Sequence, residues 1–257
     1  MATPPPTAAP AAEAKAFEET TDYANYFVTY GYLYHQKQML EDHLRMTQYR
    51  TAIIGNRACF QDKVVLDVGA GSGVLAIWAA QAGARKVYAV EATDAANFAR
   101  KVVEHNGLAN VVDVIQAKME DVELPEKVDI IVSEWMGYML LRESMLDSVL
   151  HARDRWLKPG GALYPSSATI YFAPIRTGML AERAAQLSAT LDEWQSFSDY
   201  MREEHGIAVD CLTDAYTGEH KDYYLRTSQW KSLPAEAVVG EACAWYAFDV
   251  STVTVDE

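Results

Sequence analysis

Two short stretches of the chain carry residue types whose spacing could support chemistry. The first, "SEWMGYMLLRESM" (133–145), sets Glu134 and Glu143 at either side of a bulky apolar run broken by Gly137. Two carboxylates on one hairpin could exchange protons, hold a metal or clamp a planar cation. A guanidinium suits such a pair, being planar, charged up to a pKa of about 12, and equipped with five donors in a rigid fork. Two acids meet it from two sides by charge-assisted hydrogen bonds, orienting one nitrogen and drawing positive charge to the other end. A metal site asks for histidines or further acids, which the hairpin lacks. A glycosidase also uses two carboxylates but needs a sugar cleft. Surface salt bridges are the bland alternative. Against it, Glu134 follows the strand-like "VDIIVS", at the end where parallel α/β folds place their ligands. Met136 and Met145 are expected on the substrate side, although methionines at this spacing also serve as core, the better reading for Met139.

The second stretch is "VLDVGAGSGVLA" (65–76), with Gly69, Gly71 and Gly73 between an apolar strand and an apolar helix. That turn brings backbone N–H groups and a helix N-terminus to a nucleotide-like ligand, and glycine permits both the sharp turn and the close approach. Glu91 ends the next strand, where a carboxylate can accept both hydroxyls of a ribose. Val74 occupies the place a dinucleotide fingerprint gives to glycine or alanine, which counts against a nicotinamide cofactor. The reading is a nucleoside pocket.

These residues need a scaffold, and the pattern around them supplies one. Residues 20–58 have helical spacing. Strands are expected at 63–68, 86–90, 111–115 and 128–133, alternating with helices at 74–83, 94–107 and 143–161, the last stopped by Pro-Gly-Gly. That alternation means an α/β fold with a doubly wound parallel sheet. After Tyr164-Pro165 the texture changes to strand-like "ATIYFAPI", a long amphipathic helical stretch, and strand-like "EACAWYAFDVSTVTV". The expected domains are a disordered Ala/Pro-rich tail (1–19), a cofactor-binding domain with N-terminal helices (20–164), and a partial β-barrel with a helical arm (165–257, arm about 179–226).

Composition narrows the function. Half of the 257 residues are hydrophobic and the formal net charge is -14. Such acidity argues against gripping nucleic acid or anionic membrane and suits a basic protein substrate, though it also serves plain solubility. Three scattered cysteines without C-x-x-C fit a reducing compartment, with neither a disulfide framework nor zinc. No apolar run reaches the roughly 20 residues of a membrane helix.

Together, "VLDVGAGSGVLA", "VYAVEAT" and "SEWMGYMLLRESM" resemble the protein arginine N-methyltransferases, the last resembling that family's double-glutamate loop. Upstream, "YFVTYGYLYHQKQMLEDHLRMTQYRTAI" resembles its N-terminal helices. The resemblance implies an S-adenosyl-L-methionine-dependent Rossmann-like fold that methylates arginine in basic proteins such as histones or Arg-Gly-Gly-rich chains. It implies that Arg45 holds the cofactor carboxylate, with Asp67 and Gly69 near its amino group. Glu91 takes the ribose, Lys118, Met119 and Glu120 frame the adenine, and Tyr26 and Tyr30 close over the site. Glu134 and Glu143 grip the substrate guanidinium; Met39 and Met145 shape its pocket, Met39 resembling the type that makes asymmetric dimethylarginine. The long arm resembles that of a plant member and implies a homodimer, in cytoplasm or nucleus, without direct nucleic-acid or membrane contact. Two departures stand out. Gln36, which the resemblance places with Met39 at the cofactor, stands where many members have histidine. The family's Thr-His-Trp loop, whose histidine would partner a catalytic Asp42, has no match before Glu257. The chain is therefore expected to stop within the barrel, and a cofactor-binding or dimerising module without turnover is the alternative.

Overall fold

The structure is a computed structural model that describes residues 29–227 and 231–255. The Ala/Pro-rich tail and Tyr26 lie outside the described residues. The chain divides into two units, residues 1–170 with 246–257, and residues 171–245.

Among the described residues, the first unit opens with α1 (Leu33–Leu40), α2 (His43–Ile54) and the short α3 (Arg57–Phe60). Next come β1 (Val64–Val68), α4 (Val74–Gln81), β2 (Lys86–Glu91), α5 (Ala95–His105), β3 (Val112–Gln116), β4 (Val128–Val132), α6 (Met145–Trp156) and β5 (Leu157–Tyr164). The strands form one five-stranded sheet in the order β3-β2-β1-β4-β5, and its pairings are parallel. β1 lies at the centre and every one of its residues is buried. Successive strand residues face opposite sides of a sheet. Val64, Leu66 and Val68 accordingly pack with Leu146, Val149 and Leu150 of α6. Val65 packs on the other side with Ile53, Phe60, Ala76 and Ile77. Two apolar layers thus clamp the central strands, whose carboxyl ends point toward the glycine loop and Glu134.

The sequence pattern overreaches in two places, and of the strand-like 241–255 only Cys243–Asp249 is strand, with a turn after it. The helix expected at 143–161 is α6, which ends at Trp156, and the segment holding Lys158-Pro159-Gly160-Gly161 belongs to strand β5. Val128 pairs with Leu157 and Ile130 with Ala162, so residues 158–161 bulge out of the ladder. A bulge tolerates the proline's missing N–H and uses Gly160 at φ 73°. Leu163 still buries its side chain in the core, and Leu157, partly buried, packs against it.

Where the chain leaves and re-enters this unit, β6 (Ser167–Phe172) and β7 (Cys243–Asp249) pair as a two-stranded sheet. The second unit is mainly helical. α7 (Met179–His205) runs 27 residues and stops at Gly206, φ 67°; α8 (Thr213–Lys221) follows. Trp194 seams the two together, stacking on Tyr216 at 4.3 Å and donating from Nε1 to Thr213 Oγ1 at 2.9 Å. Among the described residues no helix is long and apolar enough to cross a membrane.

Candidate active site

At the end of β1, Gly69, Gly71 and Gly73 have φ of 72°, 54° and 84°, a region that side chains disfavour. Space excludes side chains there too. A Cβ on Gly69 would lie 2.5 Å from Met145 Cε, and one on Gly71 would lie 2.7 Å from Gln36 Oε1. The loop therefore offers bare backbone. Glu91, 7% exposed, accepts from Gly71 N at 2.8 Å and from Thr93 N at 2.7 Å. Its carboxylate holds the loop against the end of β2, and its remaining lone pairs can still accept from hydroxyls. Ser148 Oγ donates to Glu120 Oε1 at 2.6 Å, tying α6 to the segment after β3.

The hairpin after β4 builds the other end. Gly137 and Leu140 exchange two backbone hydrogen bonds of 3.0 Å, closing a tight turn. Met139, Leu140 and Ser144 all have positive φ, at 50°, 68° and 54°. Such residues cost about 1–3 kcal/mol each and concentrate at functional sites. A Cβ on Gly137 would lie 2.7 Å from Glu143 Cγ, so glycine is what lets Glu143 fold back across the hairpin. Glu143 Oε2 accepts from Tyr30 Oη at 2.7 Å, and Glu134 Oε2 accepts from Arg45 Nη1 at 2.9 Å. Each acid is thus met by a donor from the N-terminal segment. Burial raises the Glu134 carboxyl above its ordinary range; the Arg45 charge opposes this, and the Glu143 charge adds to it.

One cavity of about 380 Å³ joins the two ends. Of the expected cofactor residues, Tyr30, Gln36, Met39, Arg45, Gly69, Gly71, Glu91, Lys118, Met119 and Glu120 line it. Of the expected substrate residues, Glu134, Met136, Glu143 and Met145 line it as well. Three expected residues stand back from the wall. Asp67 shares a sheet face with Val65, is fully buried, and accepts from Ala76 N of α4 at 3.0 Å, so it braces the loop from behind. Burial lifts its carboxyl to about 7, helped by the Glu91 charge and opposed by the Ala76 N–H. Gly73 is the N-cap of α4, facing Ala99. Asp42 is the N-cap of α2: Oδ1 accepts from Arg45 N at 3.0 Å, and Oδ2 lies 3.4 Å from Arg45 Nε. The Arg45 N–H holds this carboxyl below the usual range. Its carboxylate is engaged by the start of α2 and by the Arg45 side chain.

Sequence reasoning missed Tyr49, which also lines the cavity and donates to Ser133 O at 2.9 Å. The available signal was its place one helical turn beyond Arg45, on the same face of α2.

A family model described as "Methyltransferase domain" matches residues 65–161. Protein arginine N-methyltransferase PRMT10 of Oryza sativa subsp. japonica is 52% identical over 240 residues, covering 93% of this chain and 63% of the rice protein. The chain belongs to the protein arginine N-methyltransferase family. It spans about 63% of the length of the first curated relatives it matches. Among solved structures, Arabidopsis thaliana protein arginine methyltransferase 10 superimposes with TM-score 0.85 at 48% identity, covering 90% of this chain and 66% of that one. The Trypanosoma brucei PRMT1 enzyme–prozyme heterotetrameric complex with AdoHcy gives TM-score 0.70 at 34% identity, covering 89% and 65%.

Proposed function

We propose that this chain transfers methyl groups from S-adenosyl-L-methionine to guanidinium nitrogens of arginine in basic proteins. The observation that carries the reading is that Glu134 and Glu143 line the same cavity as the glycine loop and Glu91. The Arg45–Glu134 pair is itself a guanidinium–carboxylate contact at 2.9 Å, the kind of contact a substrate arginine would make.

The cavity suits the cofactor. Arg45 offers a cation for its carboxylate, Glu91 acceptor capacity for its ribose hydroxyls, and Lys118, Met119 and Glu120 a wall for the adenine. Bound S-adenosyl-L-methionine supplies a methyl group activated by its sulfonium. Glu134 and Glu143 hold the guanidinium and orient one nitrogen, and positioning of this kind can supply about 7–11 kcal/mol. The alkylated nitrogen must lose a proton, and the Glu134 carboxylate, whose proton affinity burial raises, can accept it. Met39 and Met145 line the pocket, and the resemblance at Met39 is the support for asymmetric dimethylation. Histones or Arg-Gly-Gly-rich chains, met in cytoplasm or nucleus, fit as substrates. A homodimer is proposed through the helical arm, where Leu180, Phe197 and Tyr200 are exposed. Light scattering should then show a smaller mass for a Leu180→Glu, Phe197→Glu chain than for its parent, and equal masses would refute the arm.

Radiolabelled methyl transfer to an Arg-Gly-Gly peptide tests the function. Glu143→Gln should cut the rate about 10²- to 10³-fold, as expected for loss of one preorganised charge contact. Affinity for S-adenosylhomocysteine should stay within a few fold. A rate loss below tenfold would remove Glu143 from the clamp, while cofactor binding without transfer in the parent would favour the binding-module reading.

A further inference from the structure

The reading of Glu134 as a guanidinium acceptor leaves open what holds it at a fixed distance from the glycine loop. β4 ends at Val132, and Ser133 and Glu134 continue beyond it. Ser133 N donates to Tyr164 O at 3.0 Å, and Ser133 Oγ donates to Val68 O at 2.8 Å. Val68 immediately precedes Gly69. From the other side, Tyr49 Oη donates to Ser133 O at 2.9 Å, with the Met136 sulfur 3.8 Å away. Two hydroxyls therefore link helix α2, the residue before Glu134, and the residue before the loop in one continuous chain.

Tyr49 lies one helical turn after Arg45, so a single face of α2 makes two successive contacts with Ser133-Glu134: hydroxyl to backbone, then guanidinium to carboxylate. Burial, followed by the negative charge of Glu134, keeps the Tyr49 phenol protonated far above neutral pH. It is a permanent donor. Arg45 is a poorer clamp for the same purpose, because its guanidinium is also the group proposed to receive the cofactor carboxylate. Once it turns to that task, the Tyr49 hydroxyl is what still fastens the Glu134 backbone to α2.

We infer that Tyr49 is a positioning residue for arginine binding, acting through Ser133 to fix Glu134 relative to the glycine loop. This rests on the proposed function. Replacing Tyr49 with Phe keeps the ring and the packing, removes one hydrogen bond and leaves the Ser133 carbonyl without that donor. A neutral hydrogen bond of this kind corresponds to about a threefold to tenfold change in affinity.

The test is a double-mutant cycle read by calorimetry on the full chain, with an Arg-Gly-Gly peptide in saturating S-adenosylhomocysteine. Y49F should weaken peptide binding about threefold to tenfold, with S-adenosylhomocysteine affinity within about twofold of the parent. E134Q should weaken peptide binding further, and adding Y49F to E134Q should then change little, because the two act as one unit. S133A, which unties the link to Val68, should show the same coupled signature and keeps the test open if Y49F folds poorly. Equal effects of Y49F in both backgrounds would overturn the inference. So would loss of cofactor affinity in step with a falling melting temperature, the mark of a merely structural role. Peptide binding that is absent, or indifferent to E134Q in the parent, would overturn the proposed function itself.

Discussion

Asp67 and Glu91 are both buried carboxylates beside one loop, yet their surroundings set them different tasks. Glu91 accepts two backbone N–H groups, whereas Asp67 accepts one through Oδ2, and its Oδ1 finds no partner among the described residues. A buried carboxylate satisfied on one oxygen holds its proton more tightly, and burial lifts Asp67 to about 7 from an ordinary 3.8. The sign follows from proton counts. Between those values the folded chain keeps a proton that the unfolded chain has lost, so stability falls as pH rises across the window. Asp67→Asn keeps an oxygen for the Ala76 N–H and cannot ionise. Its stability relative to the parent should therefore improve by more than about 1 kcal/mol between pH 5 and pH 8. Denaturant melts at the two pH values check this, and a difference that does not move with pH would show Asp67 to be ionised throughout. At this scale the places of Glu91 and Glu134 on the cavity wall were legible because each stands at the end of an apolar strand in an α/β chain, and that of Glu143 because it closes the hairpin that Glu134 opens. Tyr49 and the capping role of Asp42 were not. Tyr49 depends on a contact with a residue 84 positions away, and a cap depends on where the helix begins, which pattern alone leaves loose by a few residues.

The elements explain why the residues meet. α4 starts on Gly73, with φ 84° and its Cα facing Ala99 of α5; an added Cβ would sit 3.3 Å from the Ala99 Cβ. Gly73→Ala should therefore cost about 1–2 kcal/mol through its left-handed backbone, and should weaken S-adenosylhomocysteine binding because the loop and the helix start shift together. Calorimetric affinity and thermal melting measure the two effects, and a fully stable, fully binding G73A chain would show that the turn is adaptable. The strands flanking this loop were readable as short runs rich in β-branched residues, "VVLDV" and "VDIIV", of the kind a parallel sheet buries on both faces. β5 was not readable. Its Lys-Pro-Gly-Gly carries the usual marks of a helix stop, and only the register shows a strand interrupted by a bulge, with its apolar residues on either side. The hairpin's three positive-φ residues were hidden for a related reason. Met, Leu and Ser carry no local preference for that backbone, so the surrounding packing must impose it.

At the scale of the whole molecule, the excess of 36 acids over 22 bases sets a field that no single contact explains. A net charge of -14 is compatible with plain solubility, and it also draws cationic partners toward the protein before any contact forms. The two uses separate kinetically. Steering acts over a Debye length, about 10 Å at 0.1 M salt and about 3 Å at 1 M, so added salt removes it while screening the half-buried pair Glu134 and Glu143, the proposed clamp, much less. An Arg-Gly-Gly peptide carries net positive charge; S-adenosylhomocysteine is a zwitterion with none. If the acidic surface serves substrate capture, the peptide's association rate should fall about tenfold or more between 50 mM and 500 mM salt. Its dissociation rate should change little, because that rate reports on Glu134 and Glu143 inside the cavity. The association rate of S-adenosylhomocysteine should barely respond. Stopped-flow fluorescence, which can follow the tryptophans, resolves both ligands in one series. A peptide association rate that ignores salt would assign the net charge to solubility alone and leave capture to the contacts at the clamp.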